Sequence, residues 1–418
     1  MKLLYYGESP LNPTGFGNVN KHVVGALARE AEVTMVASTH YHETYDRAEY
    51  PYKIIGCDIV PGEQRTMEHQ RNFANIKAQI EAMAWDVFMY QGDMGWNNDL
   101  LSLVGEIQKT HPEKHSIFYM PIDGDTSIDY AFAPFTWCSV PVVYTEHARS
   151  VIAKYAPDIA EYTSVIGLGC EPDTFHPLSA EEKRAARIRF FGEAYADRFI
   201  CINVNRNQPR KDLARCMAIF HKFYEKHPDA SLYMHSVIND AGGSLTHQAQ
   251  MVGCDIYAKP SEIIFSGLDL AHPWARETLN ELYNACDVLI STAYGEGWGL
   301  TTTEAMSAGT PVIVPHGTAN LDILGADQAR GYGVKTGGDL DHITYLYANG
   351  ATCASVIHSQ DFLDKLEYVY THREEAAAKA KVARAWCVQN SWERRESEWQ
   401  QLLQTIKNAE PSLSTTTA

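Results

Sequence analysis

Residues 288–314 read VLISTAYGEGWGLTTTEAMSAGTPVIV, and the rest of the chain makes sense as support for this stretch. The apolar run at 288–291 predicts a strand, and the glycine-spaced turn Gly295-Glu296-Gly297-Trp298-Gly299 follows it. A helix carrying Glu304-Ala305-Met306 stops near Gly309, and a second β run occupies 311–314. Strand, glycine turn, helix, glycine stop and strand make the βαβ unit of a parallel sheet. Its loop lies at the carboxyl end of a strand and the amino end of a helix, where such sheets bind ligands. Free backbone N–H groups and the helix dipole favour an anion such as a phosphate there. Glycine lets the backbone approach that ligand closely.

Glu296 sits in this turn and Glu304 in the helix, with seven residues between them. A carboxylate beside a phosphate pocket repels the anion, so its targets are neutral hydroxyls, from which it accepts hydrogen bonds. Two such carboxylates suit one sugar on each side of a diphosphate. The Glu-x7-Glu form EGWGLTTTEAMSAGTPVI resembles the signature of retaining, family-4-type glycosyltransferases of the GT-B fold. The resemblance implies that Glu296 lies against the transferred sugar and that Glu304 holds the nucleotide ribose. It also implies that the backbone of Gly297, Trp298, Gly299 and Leu300 faces sugar and phosphates.

A chain of 418 residues, 45% hydrophobic and 21% charged, is long enough for two domains with full cores. No run is long enough to cross a bilayer, and Met1-Lys2-Leu3 enters a strand without a signal peptide. Nine cysteines with no CxxC pair point to reduced thiols in the cytoplasm rather than a disulfide framework or zinc site. The net charge is −17, and residues 1–178 hold 12 Lys and Arg against 23 Asp and Glu, or −11. An acidic first half disfavours docking on nucleic acid or anionic lipid.

The strand MKLLYYG leads to Thr14-Gly15-Phe16-Gly17-Asn18 and a helix over 21–29. A dinucleotide fingerprint fails here, because Asn20 replaces the third glycine and Ala37-Ser38 follows the second strand in place of a ribose-binding acid. In the family resembled, this first glycine loop faces the cleft and approaches donor phosphate and acceptor, a role the resemblance carries to Gly15 and Gly17. Residues 39–61 read as an insertion or short strands whose Tyr41, Tyr45, Tyr50 and Tyr52 either line an acceptor groove or pack. His40 with His42, and His111 with His115, lack a third ligand, so no metal is assigned.

Asp93 and Asp123 fall at strand carboxyl ends, on the ligand side of the sheet. Asp123-Gly124-Asp125 mimics a metal-holding Asp-x-Asp and is read as a turn. Family members often place a sugar-contacting His near Asp123, so Asp123 is carried as a catalytic candidate in its stead. The segment IGLGCEPDTFHP resembles the family's interdomain crossing and sets a boundary near residue 178, followed by a capping box at Ser179 and Glu182.

Beyond it, RFICINVNRNQPRKDL is strand, loop and helix, with Arg206 and Lys211 suited to a diphosphate and Arg210 able to share the work. The family carries an Arg and a Lys here for that purpose, and cradles the nucleotide base near Ile264, Phe265 and Ser266. A last helix aligns Trp392, Trp399, Leu402, Leu403 and Ile406 and, by resemblance, crosses back onto the first domain. The tail after Ala409 reads as loose.

These readings give a GT-B architecture: residues 1–178 with the helix at 391–409 form the acceptor-side domain, and residues 179–390 bind the donor. The expected activity is retaining transfer from a nucleotide diphosphate sugar to an acceptor hydroxyl, with neither metal nor cofactor. The acceptor stays open among glycan, protein, small molecule and hydroxylated nucleic-acid base. A non-catalytic nucleotide-sugar-binding protein is the alternative, with a dinucleotide oxidoreductase behind it.

Overall fold

The computed structural model describes residues 1–39, 45–56, 64–126, 129–268, 273–339, 342–346 and 352–408. Tyr41, His40, His42 and the tail after Ala409 lie outside them. Two parallel sheets organise the chain. The first takes Lys2–Gly7 (β1), Glu32–Ala37 (β2), Lys53–Ile55 (β3), Val87–Gln91 (β4), His115–Met120 (β5), Val140–Val143 (β6) and Ser164–Val165 (β7), in the order β3-β2-β1-β4-β5-β6-β7. The second takes Phe199–Val204 (β8), Ala230–His235 (β9), Ile263–Phe265 (β10), Val288–Ile290 (β11), Val312–Pro315 (β12) and Tyr332–Val334 (β13), in the order β10-β9-β8-β11-β12-β13.

Every neighbouring pair in both sheets is parallel. Such sheets are covered on both faces, which is why β4, β8 and β9 are buried at every position. Two Rossmann-like halves result, with the strand order reversing beside β1 and beside β8. Those reversals place the ligand-binding crevices at the carboxyl ends of the central strands.

Three helices matter for the cleft: Gly15–Ala28 (α1), Leu213–Tyr224 (α2) and, after the short helix Leu245–Met251 (α3), Arg276–Ala285 (α4). Helix Leu300–Ala308 (α5) ends as expected at Gly309, which has φ +78°. Helix α1 begins earlier than the sequence suggested. The Thr14 hydroxyl caps it by accepting from the Gly17 N–H at 3.1 Å, so Gly15 and Gly17 form its first turn rather than a free loop. The cap wins because it satisfies an N–H that a loop would leave to solvent.

After Arg373–Gln389 (α6), helix Trp392–Asn408 (α7) returns to the first half and lies along α1. Its buried stripe is Trp392, Trp399, Leu403 and Ile406. Trp399 meets Tyr119 edge-on at 4.7 Å, and Trp392 stacks on His22 of α1. The outgoing and returning chains touch where they pass: Cys170 N–H donates to Asn390 O at 2.8 Å, and Trp392 N–H donates to Cys170 O at 3.2 Å. Asp125 and Thr126 pair with residues 352–355, which in turn pair with 343–346. That small antiparallel sheet ties the turn after Asp123 to the second half, and its hairpin was not legible beforehand.

Candidate active site

The loop after β11 reaches across to the first half. A Cβ on Gly295 would lie 1.8 Å from the Asp123 carbonyl oxygen, so only glycine allows this approach. Gly299 has φ +100° and starts α5 without a side-chain cap, leaving that N-terminus open to an anion. Glu296 is fixed by its own backbone: its N–H donates to the Thr318 hydroxyl at 3.0 Å, and its carbonyl accepts from Ala319 N–H at 3.2 Å. Thr318 adopts φ +51°, an outlier for a β-branched residue of the kind that concentrates at ligand sites. Nothing in the sequence marked it.

Opposite this loop, Pro209–Lys211 forms one tight helical turn ahead of α2. Tyr294 N–H donates to Arg210 O at 2.9 Å, and the Thr292 hydroxyl donates to the carbonyls of Lys211 and Asp212. The turn therefore presents two cations side by side. Lys211 Nζ pairs with Glu296 Oε1; an Arg210 amino group lies 3.1 Å from Glu296 Oε2, and Arg210 Nε lies 3.4 Å from Asp123 Oδ2. Arg210 also donates to the Gly295 carbonyl. Burial pushes the Glu296 carboxyl up, but Lys211 and Arg210 outweigh it and hold Glu296 below the usual carboxylate range.

Burial raises Asp123, helped by Glu296 and opposed by Arg210. Asp93, at the end of β4, is pushed up to about 6 by burial, Asp123 and Glu8, against the pull of Arg210. One arginine thus balances carboxylates from both halves.

Arg206 is not part of this cluster. Its guanidinium forms a two-point pair with Asp240, at 2.8 and 3.3 Å, on a largely exposed side chain. Arg206 and Lys211 were expected at one diphosphate; the structure brings Arg210, not Arg206, beside Lys211 at Glu296. The reason is local: the Pro209 turn gathers residues 210 and 211 against the loop, whereas Arg206 precedes it and faces the Asn239–Asp240 strand. Asp123 and Asp125 also separate, since Asp125 pairs with Lys154 at 2.5 Å.

Glu304 heads a second cluster. Tyr283 Oη donates to Glu304 Oε2 at 2.8 Å, and Arg276 lies 3.6 Å from Oε1. The same Arg276 nitrogen is 2.6 Å from Glu171, which also accepts from the Asn18 side chain of α1 at 2.9 Å. Burial raises the Glu304 carboxyl to about 7; Glu171 adds to this, while Arg276 and Tyr283 oppose it. Arg276, Tyr283 and Glu171 were missed, because only folding brings α4 and the crossing segment onto α5.

The remaining candidates are scattered around the same cleft. A Cβ on Gly15 would lie 3.3 Å from Leu300 Cδ1, so α1 faces the start of α5. Gly297 packs on Pro121. The Trp298 side chain turns into the core against Gly167 and is 6% exposed, which leaves only its backbone for a ligand. Phe265 ends β10 on the ligand side of the sheet, half-buried.

A family described as glycosyl transferases group 1 matches residues 270–384, the span that holds Arg276, Tyr283, Glu296, Glu304 and Thr318. Over 220 residues the chain is 21% identical to mannosylfructose-phosphate synthase of Agrobacterium fabrum, covering 50% of this chain and 44% of that one. Over 222 residues it is 28% identical to trehalose synthase of Pyrococcus horikoshii, covering 50% and 46%. These matches span less than half the length of either relative. The Anabaena protein HepE, solved with UDP and glucose, superposes with a TM-score of 0.65 at 15% identity, covering 98% of this chain and 100% of that one. The chain thus has the GT-B fold, and its residues 270–384, around the loop of Glu296 and the helix of Glu304, match the glycosyl transferases of group 1.

Proposed function

We propose that the protein is a retaining glycosyltransferase that moves a sugar from a nucleoside diphosphate sugar to an acceptor hydroxyl without a catalytic metal. The observation that carries this reading is the Lys211–Glu296–Arg210 contact beside the uncapped start of α5. Two preorganised cations and helix amides suit the charge that develops on a departing diphosphate. In the step proposed, the bond from the anomeric carbon to the phosphate oxygen breaks. The bond to the acceptor oxygen forms on the same face, and the acceptor proton passes to the leaving phosphate. Glu296 would orient the sugar hydroxyls and Glu304 the ribose. Asp93 and Asp123, at the ends of β4 and β5, would meet the acceptor.

Asp123 and Asp125 pair with different cations, Arg210 and Lys154, which favours the metal-free route over an Asp-x-Asp metal site. The HepE complex with UDP and glucose makes a uridine nucleotide the first donor to try. No helix among the described residues is long and apolar enough to cross a membrane. The free thiols among the described cysteines are in keeping with a cytoplasmic setting. The test is NMR of the product's anomeric proton after reaction with a donor panel in excess EDTA. The donor's anomeric configuration should be retained. An inverted linkage, or activity lost in EDTA and restored by manganese, would overturn the mechanism.

A pH dependence follows for the ribose contact. With its carboxyl near 7 in the free protein, Glu304 is mostly protonated at pH 6 and mostly ionised at pH 8. The carboxylate accepts hydroxyl hydrogen bonds better than the acid does. Nucleotide affinity is therefore expected to rise with pH, by up to about tenfold per unit below 7. Calorimetry with UDP at pH 6, 7 and 8 checks this. Glu304→Gln should lose the dependence, and an equal slope in that variant would assign it to the nucleotide's own phosphate.

A further inference from the structure

A group of side chains far from the cleft has a different chemistry. His221 lies in the last turn of α2, Cys254 follows α3 and Gly253, and Glu262 immediately precedes β10. Glu262 stands at the amino end of its strand and Phe265 at the carboxyl end, so this group occupies the edge of the second sheet opposite the donor side. The ligand-type atoms of His221, Cys254 and Glu262 all lie within 4.8 Å of one another. His221 Nδ1 is 2.8 Å from Glu262 Oε1. Cys254 and Glu262 are buried, at 5% and 1% exposure, and the His221 side chain retains 19%.

We propose that His221, Cys254 and Glu262 bind a zinc-class divalent cation. Three separate segments bring an imidazole, a thiol and a carboxylate to one point, with both His221 and the Cys254 thiol against Glu262. Sulfur, nitrogen and carboxylate oxygen together are a borderline-soft donor set, which selects zinc over magnesium or calcium. Tetrahedral zinc holds such atoms about 3–4 Å apart; here the three lie within 4.8 Å of one another, with His221 Nδ1 and Glu262 Oε1 at 2.8 Å. A buried carboxylate also needs a compensating charge, which the cation supplies. The partly open side at His221 leaves the fourth position for water.

His221 Nε2 lies against Gly253, where an added Cβ would sit 3.1 Å away, with Glu225 Oε1 at 3.9 Å. Cys254 passes its thiol proton to solvent on binding. The ion would clip α2, the turn after α3 and the start of β10 together, a structural role rather than a catalytic one. Asp339, His342 and His358 form a second group, but there His358 Nε2 is engaged by the Gly337 carbonyl at 2.7 Å.

The proposal is independent of the reading of the cleft and is tested on the full chain, purified without a histidine tag and stripped with a chelator. Cobalt(II) should bind with one equivalent giving a thiolate-to-cobalt charge-transfer absorption, which zinc then displaces. Saturating zinc should raise Tm by about 5 °C. Cys254→Ser should abolish the absorption, and His221→Gln should weaken binding at least about tenfold. If Cys254→Ser does not fold, mass spectrometry of the wild type decides instead, since zinc should protect Cys254 from alkylation. No charge-transfer band, a band that survives in Cys254→Ser, or a thiol equally reactive with and without zinc would each overturn the site.

Discussion

Lys211→Ala is expected to lower turnover by about two to three orders of magnitude, the scale of losing one preorganised charge donor. The Lys211 ammonium is largely shielded, and its partner Glu296 is fixed by backbone contacts on both sides. Removing it leaves negative charge under-compensated where a diphosphate would depart. Arg210→Ala should follow with a loss of similar order, because Arg210 meets Glu296, Asp123 and the Gly295 carbonyl together. Arg206→Ala is the informative contrast. Its pair with Asp240 is exposed, and such pairs contribute about 0–1 kcal/mol. Steady-state rates for the three variants rank them. Arg206→Ala costing more than Arg210→Ala would return the diphosphate role to Arg206, and turnover within a few-fold of wild type in Lys211→Ala would remove the clamp altogether.

The two glutamates are expected to fail differently. Glu296→Gln should depress turnover about a hundredfold or more, since its proposed partner is the transferred sugar. Bare nucleotide should bind that variant as well as the wild type or better, because Lys211 and Arg210 are released from a competing carboxylate. Glu304→Gln should weaken the bare nucleotide about tenfold or more, the loss of a hydrogen bond to a charged group. Calorimetry with UDP beside initial rates separates these outcomes. Equal losses of nucleotide affinity in both variants would end the division of labour.

Much of the fold was legible because the signals were local. Strand, glycine turn and helix at 288–309 form as read, and the stripe on α7 packs as its spacing indicated. What stayed hidden was set by tertiary contact. Arg206 and Arg210 look equivalent in sequence, and only the Pro209 turn and the neighbouring Asp240 separate them. Arg276 and Tyr283 read as an ordinary helix face until α4 packs against α5. Thr318 has no local signature at all, since its left-handed backbone is imposed by the Glu296 loop it supports. His221, Cys254 and Glu262 come from three segments far apart in sequence, and only folding brings them together. The Thr14 cap turned an expected glycine loop into the first turn of α1.

The central claim is that the cleft between the two sheets holds a nucleoside diphosphate through the 210–211 turn, the Glu296 loop and Glu304. The most direct measurement is calorimetric titration of the wild-type protein with UDP, its sugars and other nucleoside diphosphates, beside NAD as the competing ligand class. At least one nucleoside diphosphate should bind at a single site, with affinity reduced in both Lys211→Ala and Glu304→Gln, and NAD should not bind. Binding of NAD alone, or nucleotide binding unchanged in both variants, would contradict it.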